Sequence, residues 1–309
     1  MSYRPRRPAL LALTSAFAIV LVACSAGSAP PSSPGASGGT PAPSGQPSDT
    51  PTSGAIDHKT GATDVVLRLD EGGGFVMPTF LASQVPQFTL YGDGTVIFRN
   101  PMLEVPPAQG SVFTFNPMRT AKLSEEQIQE LLLLALGEGG LAAARANYTN
   151  DMVADASTTV FTVEAGGVKK TVSVYALGLD VVDGALGADA PARAAFQKLA
   201  ARLTDFDQGG AIPTDVYGPT AYRGVLFESQ GVVVPDVRAW PWPELTVADF
   251  KIDADPNGLQ FPHRTLTTEE VVMLDVEGFQ GGFQGLVLRG SDKKLYTLAL
   301  RPLLPGDEG

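Results

Sequence analysis

One cysteine in 309 residues limits what this chain can fold into. Cys24 is the only cysteine, so no disulfide can form within the chain and its stability must come from a hydrophobic core. Its position matters as much as its number, because it closes an apolar run. Arg4, Arg6 and Arg7 give a positive start, and every residue from Ala9 to Ala23 is apolar or small, the layout of a secretory signal peptide. At about 15 residues the run falls short of the roughly 20 that a spanning helix needs, so it reads as a cleaved signal rather than a membrane span.

The run ends in Leu21-Val22-Ala23-Cys24, which resembles the lipobox of bacterial lipoproteins. That resemblance implies cleavage before Cys24, a diacylglycerol thioether on its sulfur with further acylation such as palmitate, and a chain held at the membrane on its extracytoplasmic side. Each buried methylene contributes about 0.8 kcal/mol, so two or three acyl chains on one residue anchor a protein stably.

From Ser25 to Ala55 every residue except Gln46 and Asp49 is Ser, Pro, Gly, Ala or Thr. Such a stretch has nothing to bury and reads as a disordered tether spanning about 30 Å. Gly35-Ala36-Ser37-Gly38-Gly39 matches the serine-hydrolase elbow in letters only, since no strand or helix flanks it. The formal charge is −11, or −14 once the three signal arginines are set aside. An acidic surface repels phosphate backbones, so nucleic acid is not an expected partner.

The rest of the chain carries local signals for an α+β fold with antiparallel sheets. Residues 87–91 and 95–99 flank Gly92-Asp93-Gly94 as a hairpin, because an Asp-Gly pair supplies the positive backbone angles the turn requires. A second hairpin is expected over 158–164 and 168–175. Between them Ser124 and Gln127 form a capping box, Leu123 and Ile128 a hydrophobic staple, and Ile128, Leu131, Leu132 and Ala135 share a helix face. Another helix starts near Pro191, with Phe196, Leu199, Ala200 and Leu203 at core spacing.

The C-terminal part carries a parallel plan. Leu266-Thr267-Thr268-Glu269-Glu270-Val271 repeats the cap, box and staple of residues 123–128, and a hairpin follows over about 285–289 and 294–300. Two readings stand: a pair of related lobes, each a sheet with one packed helix, or a chance recurrence of a common arrangement. The domain plan is a signal at 1–23, Cys24 and tether at 24–55, and lobes at 56–208 and 209–309.

Pro86-Gln87-Phe88-Thr89-Leu90-Tyr91-Gly92-Asp93-Gly94, the capped helix and the stretch from Tyr148 to Val163 together resemble a family of uncharacterised bacterial lipoprotein and secreted domains with a tyrosine-glycine-aspartate-glycine hairpin. The resemblance covers roughly residues 64–205 and implies a fold rather than an activity. Many members carry a cysteine pair just before the hairpin, which is absent between Gly74 and Pro86 here.

Chemistry-bearing patterns are sparse. His58 ends the tether, where nothing fixes its orientation, and His263 lies between Pro262 and Arg264; neither has a companion for acid–base or zinc chemistry. Asp253, Asp255 and Asn257 take the first, third and fifth positions of a calcium-loop pattern, but its twelfth position is Arg264 instead of a glutamate. The runs Gly72-Gly73-Gly74 and 278–285 lack the lysine or helix of a phosphate loop and read as mobile loops. Trp240-Pro241-Trp242-Pro243 holds both tryptophans of the chain in an extended segment, a candidate ligand platform or a core anchor.

The expectation is therefore a lipid-anchored envelope protein that leans away from catalysis and needs no cofactor. Its partner would be an envelope protein, a peptide or a glycan. The alternatives are a carboxylate-dependent hydrolase and a calcium-stabilised, inhibitor-like module.

Overall fold

The two capping boxes form as the local sequence dictates. Ser124 Oγ accepts from the Gln127 amide at 3.3 Å while Gln127 Oε1 accepts from the Ser124 amide at 2.9 Å. Thr267 and Glu270 exchange the same pair of bonds at 3.2 and 2.8 Å. The computed structural model describes residues 54–100, 103–179, 187–229, 236–254 and 259–307; the signal segment, Cys24, nearly all of the tether, Asp255 and Asn257 lie outside them.

In chain order the elements are β1 (Val65–Gly73), α1 (Pro78–Ser83), β2 (Phe88–Tyr91), β3 (Thr95–Phe98), β4 (Phe113–Thr114) and β5 (Arg119–Lys122), then α2 (Glu125–Leu133), β6 (Asn147–Tyr148), β7 (Ser157–Ala165), β8 (Val168–Tyr175) and α3 (Ala190–Thr204). The remainder comprises β9 (Asp215–Val216), β10 (Ala221–Glu228), β11 (Val237–Ala239), β12 (His263–Thr267), α4 (Thr268–Val272), β13 (Phe283–Arg289) and β14 (Leu295–Pro302). Among the described residues the strands form two largely antiparallel sheets, ordered β6-β8-β7-β1-β2-β3-β5-β9 and β11-β13-β14-β10-β12, with β4 also paired to β13. The α+β class is thus established.

Alternation within the strands sorts side chains onto two faces. On the first sheet Leu67, Phe88, Phe98, Phe161 and Val172 meet Ile128 and Leu132 of α2 and Phe196 and Leu199 of α3 in the main core. Past α2 the helix widens into a looser turn, Leu134 O accepting from the Gly139 amide at 2.7 Å. The other face carries Tyr91, Ile97 and Met118, packed with Val85 and Leu304. The second sheet has its own core, in which Leu226, Leu298 and Phe283 meet Val271 and Trp242.

Strand exchange crosses the expected boundary at 208/209. β9, from beyond it, pairs with β5, while β4, from before it, pairs with β13. The described residues from Gly54 onward accordingly group into one compact unit rather than two separate lobes. The glycines expected in mobile loops are also corrected. Gly72 and Gly73 end β1, paired with Thr158 and Ser157. A Cβ on Gly281 would lie 2.2 Å from both the Phe115 and the Asn116 carbonyl oxygens, so this glycine lets the loop before β5 press onto the second sheet.

Candidate functional site

That pressed loop helps to build the most chemically unusual cavity in the described structure. Arg99 follows β3, and its amide donates to the Gln87 carbonyl at 2.9 Å, extending the β2–β3 pairing by one step. Alternation puts Gln87 and Arg99 on the face opposite Phe88 and Phe98, away from the α2–α3 core. The loop returns from the second sheet, where the Phe115 amide donates to Gly282 O at 3.0 Å. It borders the cavity with Phe115, Asn116 and Pro117, and Asn100, Leu103, Val105 and Pro106 line the rest of about 220 Å³. Asn116 Nδ2 holds the far wall by donating to Glu104 O at 2.9 Å.

Within this cavity the Arg99 guanidinium carbon lies 5.2 Å from the Phe115 ring centre, a cation–π contact. Its Nε is fully enclosed with no hydrogen-bond acceptor. Among the described residues its terminal nitrogens likewise meet no carboxylate. Burial pulls the guanidinium down to about 10, and no acid offsets that pull. It remains a cation at neutral pH, half-buried and with no counter-charge among the described residues, so its partial loss of hydration is not offset by an ion pair.

Arginines elsewhere between the sheets are treated differently. Asp307 lies 3.6 Å from Arg68 Nη2, 3.0 Å from Arg301 Nη1, and also accepts from the Leu304 amide at 3.2 Å. Burial raises the neighbouring Asp70 carboxyl, with Arg68 opposing the shift. Asp307, which faces this cleft together with Asp70 and Glu71, is held by two cations and an amide instead of standing free for proton transfer.

The residues singled out from sequence are distributed otherwise. Trp242 is 3 % exposed and donates through Nε1 to Glu270 O at 2.8 Å, while half-buried Trp240 donates to Leu245 O at 2.7 Å. The two rings meet edge to face, 5.0 Å apart, beside Phe250. They are core anchors and not an exposed platform, because a buried indole N–H needs an acceptor and the backbone provides one. Asp253 is committed to the Leu259 amide and, at 3.3 Å, to His263 Nε2. No cluster of metal-ligating side chains occurs among the described residues.

His263 Nδ1 lies 2.9 Å from Phe261 O, which leaves its ring spanning a turn. His58 is fixed, contrary to expectation. Its side chain is 4 % exposed and lies between Lys59 O at 2.7 Å and Glu125 Oε1 at 3.3 Å. Just ahead of it, Ile56 exchanges two hydrogen bonds with the Gln129 side chain. The globular packing therefore already includes Ile56.

Arg99 and Gln87 carried no sequence signal beyond their places at strand ends. That no described acid stands beside Arg99 depends on what the distant loop at 115–117 brings, and that loop is set by glycines near 281. Compared with known proteins, the chain matches no family model, no curated protein and no solved structure.

Proposed function

We propose that this protein is a membrane-anchored extracytoplasmic lipoprotein acting as a non-catalytic binding module, tethered through lipid on Cys24 and receiving its ligand in the Arg99 cavity. The signal layout, the lipobox-like ending and the Ser/Pro/Gly-rich tether support the anchor. No helix among the described residues is long and apolar enough to cross a membrane, and the proposed anchoring does not require one. The tyrosine-glycine-aspartate-glycine hairpin stays part of this reading as a likeness to secreted domains of the same layout.

One observation carries the binding role: half-buried Arg99 lines an open-sided cavity, its Nε enclosed without an acceptor and no carboxylate among the described residues paired with it. A partly desolvated cation with no ion-pair partner gains when an acceptor fills the site. The partner in this reading is an envelope protein, a peptide or a glycan.

The test uses the full-length chain in detergent, screened by thermal shift against organic acids, inorganic anions, peptides, neutral sugars and divalent cations. At least one class should raise Tm in the native protein and leave Arg99→Gln unmoved. If every class shifts both proteins equally or neither, the binding role at this cavity is lost. For the anchor, Cys24→Ala should abolish incorporation of labelled palmitate and release the protein from membranes; unchanged labelling would refute it.

A further inference from the structure

Resting on that binding role, the geometry points to a ligand class: the cavity takes the carboxylate of an organic acid whose adjoining carbon skeleton is apolar, with Arg99 and Gln87 holding the carboxylate.

The charge balance selects this chemistry. Arg99 contributes one positive charge, and no described carboxylate shares it. A monocarboxylate neutralises that charge, whereas a phosphate dianion would leave an excess negative charge inside a chain whose formal charge is already −11. The planar guanidinium matches a planar carboxylate in a paired donor geometry. Phe115, 5.2 Å from the guanidinium carbon, packs on it and restrains its orientation before any ligand arrives. Gln87 stands beside Arg99 across the paired strand ends, and its carboxamide makes no hydrogen bond with any described residue, leaving an N–H to donate to the second carboxylate oxygen.

The remaining wall sets what accompanies the carboxylate. Leu103, Val105 and Pro117 offer hydrocarbon, and Leu103 and Val105 are 43 % and 75 % exposed at the rim. Exposed apolar side chains beside a half-buried cation suit a ligand with an acidic head and an apolar flank. At about 220 Å³ the space is smaller than drug-sized sites of roughly 300–1,000 Å³. It accommodates one residue-sized group: either a small free acid or the terminal residue of a peptide. These two sources share the same head group and are separated by the experiment.

Full-length protein in detergent is titrated calorimetrically with N-acetyl-leucine, N-acetyl-leucinamide, a leucine-terminated tetrapeptide with a free or an amidated C-terminus, and inorganic phosphate. The acids should bind at least about tenfold more tightly than their amides and than phosphate, and Arg99→Gln should remove that preference. A free-acid tetrapeptide that binds about tenfold better than N-acetyl-leucine assigns the site to chain termini, and equal binding assigns it to small acids. Equal affinity for acid and amide, or preference for phosphate, overturns the carboxylate assignment; a sugar or other ligand that still depends on Arg99 would leave the binding role standing. A second readout guards against misfolding: without ligand, Arg99→Gln should not lower Tm, because the half-buried charge it removes lacks a carboxylate partner and so offsets the loss of the Phe115 contact. A lowered Tm would mark Arg99 as a structural anchor and overturn the proposal.

Discussion

The capped helices α2 and α4 start from the same local instructions and serve different architectures. Both have a complete capping box, both bury their staple residues, and a hairpin follows each. Yet the hairpin after α2 joins its sheet through its first strand, β7 beside β1, whereas the hairpin after α4 joins through its second, β14 beside β10. α2 spans nine residues and continues into a widened turn; α4 spans five. A capping box satisfies the first free amides of a helix and carries no information about which strand the chain meets afterwards. Recurrence of the box is therefore a recurrence of helix starts, and the opposed docking of the hairpins argues against reading the halves as copies.

The sharpest way to break the comparison is at the glycine after each helix. Gly281→Ala should cost on the order of 4 kcal/mol, because its Cβ would meet two backbone carbonyl oxygens at 2.2 Å. Gly139→Ala, after α2, should cost about 1–2 kcal/mol: its Cβ meets Ala135 O at 2.8 Å and the adaptable Leu199 side chain at 2.9 Å. Denaturant melts of the two variants give the ordering, and a Gly281→Ala protein as stable as the native chain would contradict the pressed loop.

Core truncation comes next. Leu132→Ala in α2 should cost about 3 kcal/mol, and Val271→Ala in α4 less, since both are fully buried but valine loses fewer methyl groups. Equal losses would show that the short helix carries as much of the packing as the long one.

Cap removal should bring the two helices together again. Ser124→Ala and Thr267→Ala are each expected to cost about 1 kcal/mol, because each removes the same acceptor for the amide three residues on. A difference well above that figure would show that the caps have unequal tertiary roles.

The smallest expected effect lies on the seam between the halves. Burial raises the Asp70 carboxyl, so the folded state holds its proton to higher pH than the unfolded chain does. Stability from this group is fully present below its unfolded pKa and is lost as pH rises through the folded value. Asp70→Asn should therefore raise Tm at pH 7 and have little effect near pH 3; the reverse pattern would show that Asp70 is a stabilising ion-pair partner.

How legible this fold was depended on the range of each signal. The β2–β3 turn at Asp93-Gly94, the hairpins at 157–175 and 283–302, both capping boxes and α3 from its proline could be read from neighbouring residues. α1, at six residues, is too short to show helical periodicity. The exchange of β4 and β9 involves two-residue strands with no pattern of their own. The tryptophans could be read as platform or anchor, and only the carbonyls of Leu245 and Glu270 decided between them.

By itself, the sequence determined that no internal disulfide could contribute, that a signal-like start and a low-complexity stretch precede the globular part, and where helices and turns begin. Each of these depends on composition or on residues within a few positions of one another. Tertiary structure decided which hairpin strand lies inward, how the halves exchange strands, and that Arg99 lies in a cavity without a described acid beside it. Those outcomes depend on contacts between segments far apart in the chain, as where the loop at 115–117 rests on glycines near 281. Charge compensation is a property of the space around a residue, and no local pattern around Arg99 encodes it.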